Sequence, residues 1–154
     1  MTALFLLLAA LAMLAGCQNQ GTEKTTAAAK TLSLQETVAN AAADSGDLAA
    51  LTAEDLTDML GIEPAEYSEF VFLQSTGMDG REILAIRAAD RDAADKVAKQ
   101  AETYLECRMK ETRNYAPEAY QLQSETKVRT RNLTVLLVVG PDAAKEADTI
   151  LAGE

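Results

Sequence analysis

Hydrophobic and polar positions change their spacing several times along the chain. From Leu6 to Gly16 every position is apolar or small, Cys17 follows, and polar chain begins at Gln18. Gln18 to Thr31 (QNQGTEKTTAAAKT) shows no hydrophobic period and reads as a tether. Ser33-Leu34-Gln35-Glu36 is a capping box, in which Ser33 and Glu36 satisfy each other's free backbone donors, and it predicts a short helix to about Ala43. Asp44-Ser45-Gly46-Asp47 breaks that helix. Thr52-Ala53-Glu54-Asp55 starts a second one, with Leu56, Met59 and Leu60 on one face and Gly61 as its stop.

The spacing then shortens to two. Tyr67 to Gln74 (YSEFVFLQ) and Glu82 to Ala88 (EILAIRA) read as strands, with turn chemistry at Thr76 to Gly80 between them. From Asp90 to about Thr112 the helical period returns, with Ala94, Val97, Ala101, Tyr104, Leu105 and Arg108 on one face. Pro117 opens a short helix to Gln123. Lys127 to Thr130 and Leu133 to Val139 form a hairpin around Arg131-Asn132, and Gly140-Pro141-Asp142 leads into a closing helix through Leu151.

This order, β-β-α, a short helix, then β-β-α, predicts an α+β fold. The expected sheet has four antiparallel strands in two hairpins, with helices packed on one face and short N-terminal helices in front. Leu133 to Val139 is apolar on both faces, which places it at the sheet centre. The two halves resemble each other in pattern, through either a duplication or the shared grammar of strand, cap and amphipathic helix; we favour the grammar. The expected organisation is a signal at 1–16, Cys17 and a tether at 17–32, and one domain at 33–154.

The opening run is short for a membrane span, which needs about 20 apolar residues; only 16 residues precede Cys17. Its length suits the core of a secretory signal, although the first basic residue is Lys24. Leu14-Ala15-Gly16-Cys17 resembles the lipobox of bacterial lipoproteins. That resemblance implies a diacylglyceryl group on the Cys17 thiol, fatty acyl chains such as palmitate, and cleavage between Gly16 and Cys17. The residue types suit the chemistry: small side chains admit a peptidase to the backbone, and only a thiol forms the thioether. Two acyl chains anchor stably where one binds marginally.

Charge narrows the choice of partners. The chain carries 14 basic and 24 acidic residues, a net charge of −10, with no charge in residues 1–16. Residues 18–80 carry −9 and residues 81–154 only −1. An acidic surface argues against nucleic acid, whose phosphates it repels, and against polybasic docking to anionic lipid.

There are two cysteines and no histidine. With Cys17 lipidated, Cys107 has no partner, so stability must come from a packed core. Cys107 falls on the flank of the long helix's apolar stripe and reads as a small, half-buried packing residue. Triad hydrolysis lacks its usual base, Gly-rich phosphate loops are absent, and no cofactor is implied. Asp90, Asp92 and Asp95 are the densest acidic cluster. They lack the Gly and later Glu of a calcium loop, and Asp90 as helix cap with Asp92 in the first turn accounts for them without a metal. Lys127, Arg129 and Arg131 alternate, so they share one strand face, either as a site for an anionic ligand such as a wall-polymer phosphate or as a charged face that discourages edge pairing. Arg108, on the apolar stripe, either stretches its head outward or pairs with a buried acid.

Several segments together resemble an uncharacterised lipoprotein family of clostridial Gram-positive bacteria, domain of unknown function 4358. They are Gly61-Ile62-Glu63-Pro64 before a strand, Glu82-Ile83-Leu84-Ala85-Ile86, Leu105-x-x-Arg108, Tyr115-Ala116-Pro117-Glu118 and Leu133 to Val139. The resemblance runs from Gly61 to Gly153, and the lipobox and tether match the family's layout. It implies location and fold, and brings no activity. The expected protein is therefore a membrane-anchored envelope lipoprotein on the outer face of the cytoplasmic membrane, with a non-enzymatic binding or adaptor domain for an envelope protein or wall polymer. The alternative is a carboxylate-dependent enzyme acting on envelope glycans.

Overall fold

A computed structural model describes residues 32–43 and 47–154. The signal, Gly16, Cys17, the tether up to Thr31 and the break at Asp44 to Gly46 lie outside the described residues.

Helix α1 (Leu34–Ala41) is capped as its sequence predicts: the Ser33 hydroxyl accepts from the Glu36 amide and the Glu36 carboxylate accepts from the Ser33 amide. Strand β1 (Leu48–Ala50) follows, then helix α2 (Ala53–Leu60) with a second capping box from Thr52 and Asp55. Gly61 closes α2 at φ +69°, a conformation that costs glycine little. A 3-10 turn (Pro64–Glu66) leads into β2 (Tyr67–Ser75), β3 (Glu82–Ala88) and the long α3 (Arg91–Thr112). Then come α4 (Pro117–Glu125), β4 (Arg129–Arg131), β5 (Thr134–Val139) and α5 (Ala143–Ala152).

The strands form one antiparallel sheet in the order β1-β2-β3-β5-β4. This corrects the expectation in three respects. Among the described residues the sheet has five strands, because the short Leu48–Ala50 segment pairs with Leu73 to Ser75. Its middle strand is β3, with β5 between β3 and β4. Helices cover both faces rather than one. Phe72, Leu84, Ile86, Val135 and Leu137 point to α2 and α3, while Val71, Ile83, Ala85, Leu136 and Val138 point to α1 and α5. Strands buried on both sides read as continuous apolar runs, which is why β3 and β5 show little alternation. Strand β4 starts at Arg129, so Lys127 precedes it. The hairpin turn is Asn132-Leu133, one residue later than expected, with Asn132 at φ +53°.

Candidate functional site

Of the three alternating cations, Arg129 and Arg131 stand in β4 and are engaged within the fold, while Lys127 lies before the strand. Lys127, Arg129 and Arg131 lie on the α5 side, opposite Val128, which packs toward the α3 core. Arg129 donates to Asp148 at 2.7 Å, and Arg131 donates to the Leu151 carbonyl near the end of α5 at 2.8 Å. Lys127 and Arg129 border a groove of about 280 Å³ floored by Leu136, Val138 and Ala147. Two of the three cations thus tie the edge strand to the closing helix.

A different constellation lies on the α3 side. Glu82, at the first position of β3, alternates into line with Leu84 and Ile86 and is buried at 2% exposure. Its Oε2 accepts from the Tyr104 hydroxyl at 2.9 Å and from Gln74 Nε2 at 3.1 Å; Gln74 also reaches the Tyr104 oxygen at 3.2 Å. Glu82 Oε1 is buried with no hydrogen-bond partner, and so is Arg108 Nε. Burial pushes the Glu82 carboxyl above its usual value, against the pull of Gln74, Tyr104 and the nearby Arg108 charge. Burial, and then the Glu82 charge, pushes the Tyr104 hydroxyl up, so the phenol stays a donor. Arg108 therefore lies close to a buried acid, but its direct partner is Glu111 on its own helix, at 3.0 Å.

Gln74 and Arg108 surface in a groove of about 170 Å³ between the β2–β3 turn, the end of α3 and the start of α4. Small residues line it: Ser75, Gly77, Gly80, Ala116 and Ala119. Gly80 sits at φ +71°, where an added Cβ would lie 2.7 Å from the Ala119 Cβ, so turn and helix approach as closely as a glycine allows. Met78 (73% exposed) and Tyr115 (66% exposed) also line the groove. Beneath it, Thr112 donates to Gln123 at 2.6 Å in a buried bond that fixes α4 to α3. Residues from the end of β2 through the β2–β3 turn, Gln74 to Gly80, thus meet Arg108 and Tyr115-Ala116 around this groove.

A third groove, of about 280 Å³, lies between α2 and α3 and reaches Tyr104 from the other side. Cys107 borders it and is exposed, not half-buried as expected; on the helical wheel it falls past the edge of the stripe formed by Val97, Ala101 and Tyr104. Asp90 caps α3, accepting from the Ala93 amide at 2.8 Å. Among the described residues no group of acidic or cysteine side chains is placed to hold a metal ion.

Sequence reading singled out Arg108 and missed Gln74, Glu82 and Tyr104 as a set. The available signal was an acid at an inward position of an otherwise apolar strand. Tyr104 read as core, which it also is: its ring meets Phe72 edge to face at 6.2 Å.

A family model described as "Domain of unknown function (DUF4358)" matches residues 41–140, from the end of α1 through β5. The chain belongs to that family. No curated protein and no solved structure matches it.

Proposed function

We propose that this member of the family is a cell-envelope lipoprotein. It is exported, cut between Gly16 and Cys17, acylated on Cys17, and held on the outer face of the cytoplasmic membrane, where its domain binds another envelope component without turning it over. The anchor is supported by Leu14-Ala15-Gly16-Cys17 and the polar chain after it. Among the described residues no helix is long and apolar enough to cross a membrane; the proposed attachment is the lipid. A wall polymer or an envelope protein suits the remaining surface better than nucleic acid, given the net charge of −10.

The observation that supports binding over catalysis is the position of Glu82. Glycosidic chemistry needs a raised-pKa carboxyl facing the substrate and a second carboxyl about 5–10 Å away across a cleft. Glu82 has the raised carboxyl, yet it lies under α3 with Tyr104 and Gln74 on it, and it borders none of the three grooves described above.

Two measurements test the two halves. Cells fed labelled palmitate should label the wild type and not Cys17→Ala, and only the wild type should stay with membranes after a salt wash; equal label overturns the anchor. Purified protein should leave peptidoglycan intact. Turnover that disappears in Glu82→Gln would replace binding by the carboxylate enzyme.

A further inference from the structure

We propose that the groove between the β2–β3 turn and the α3–α4 junction takes the free C-terminal carboxylate of a short peptide, with Arg108 as its anchor and Met78 and Tyr115 as its apolar walls. This rests on the binding role above and names the ligand class for it.

Arg108 brings the right group. A guanidinium presents a planar fork of donors that matches a carboxylate. The Arg108 side chain lines the groove and is 28% exposed, while its Nε is buried without a partner. It already holds a carboxylate there, that of Glu111, which is 56% exposed and on the same helix. An exposed pair of this kind is weak and exchangeable. An incoming carboxylate takes the place of Glu111 without leaving a charge unpaired, since the released Glu111 returns to water. Below, burial shifts Glu82 toward its neutral form, which limits competition for the guanidinium from inside.

Shape and lining specify the rest of the ligand. About 170 Å³ holds a terminal residue and little more. Gly77, Gly80, Ala116 and Ala119 leave backbone and methyl groups against it, and the Ser75 hydroxyl beside them accepts from the Gly77 amide at 3.1 Å. Met78 and Tyr115 are the two most exposed large apolar side chains among the described residues, and both belong to this one groove. An extended peptide ending in an apolar residue matches that combination of one fixed cation, small walls and two apolar flanks.

The test uses the full chain, purified in detergent, with acetyl-Ala-Leu bearing a free carboxylate and the same peptide as its C-terminal amide, followed by calorimetric titration. The free acid should bind and the amide should bind about tenfold more weakly or worse, as expected for loss of a charge-assisted bond. Arg108→Gln should lower affinity for the acid about tenfold, with a smaller loss for Arg108→Lys, which keeps the charge and loses the fork. Glu111→Gln, which removes the internal competitor, should tighten it about twofold to threefold. Lys127→Gln should change nothing. Equal affinity for acid and amide on the wild type overturns the proposal whatever the variants do, as does no binding of the acid. Mass analysis of the recovered peptide separates the two levels: intact unbound peptide overturns the groove and leaves the binding domain standing, whereas cleaved peptide overturns the non-enzymatic role itself.

Discussion

The two faces of the sheet use the same strands and bury different chemistry. On the α1/α5 face Val71, Ile83, Ala85, Leu136 and Val138 meet Leu34, Val38, Ile150 and Leu151 in an apolar layer. Its charges sit at the rim: Arg87 bridges Glu69 at 2.5 Å and Glu154 at 2.6 Å, Glu69 accepts the Leu34 amide at the start of α1, and Thr134 donates to Glu154. Each partner in that rim is matched, and the network ties both covering helices to β2, β3 and β5. The α2/α3 face has a comparable apolar layer but carries its acid inward, at Glu82, with one oxygen unmatched. A buried polar atom without a partner costs stability. The closed face reads as the structural one, and the face that tolerates this cost is the one beside the small-walled groove.

The comparison breaks first at the core. Phe72→Ala on the α3 side should cost about 3–5 kcal/mol and Leu136→Ala on the α5 side about 2–5 kcal/mol, measured by urea unfolding, if both are fully packed layers. A cost under about 1.5 kcal/mol on either side would show that this layer is not a core in its own right. At the rim, Arg87→Gln should lose about 1–2 kcal/mol, since it leaves Glu69 and Glu154 facing each other's charge in a partly buried place. Loss of protection from hydrogen exchange in α1 and at the end of α5 is the accompanying sign.

Glu82 should behave in the opposite sense. Its folded carboxyl titrates above the ordinary 4.5, so the folded state holds the proton more tightly than the unfolded chain does. That contribution is complete below the unfolded value and is lost as pH rises through the folded one. Glu82→Gln removes the slope. Its melting temperature should change less than the wild type's between pH 5 and pH 8, and at pH 8 it should equal or exceed it. A variant that keeps the wild-type slope would assign the pH dependence elsewhere. The smallest effect is expected at Arg129→Gln, within about 0.5 kcal/mol of wild type, because its bond to Asp148 is solvent-exposed. A loss above 1 kcal/mol would mean that the ladder holds α5 more firmly than an exposed pair can.

Local signals in the chain were enough for the helix ends and for the long helix's inward face. The two capping boxes, the Gly61 stop, the Asp90 cap and the apolar stripe of α3 all depend on neighbours within a few residues, and each stands where its sequence puts it. The acid at Glu82 and the arginine at Arg108 were equally visible as single residues. Their relation was not, because it depends on how β3 lies under α3, and on Gln74 arriving from a neighbouring strand. The same holds for the two-sided burial of the sheet. A run such as Leu133 to Val139, apolar on both faces, by itself predicts a central place in the sheet; that helices cover both faces is decided only by packing. β1 was invisible for a related reason: three residues of Leu-Ala-Ala carry no strand signal and form a strand only because the β2 edge offers them hydrogen bonds. The groove is the most distant from sequence, since its walls come from the β2–β3 turn, α3 and α4, and its closeness depends on Gly80 meeting Ala119 across a gap no side chain could share. Properties set by bonds within one turn of chain were therefore determined before folding, and properties set by distances between elements were decided only by it.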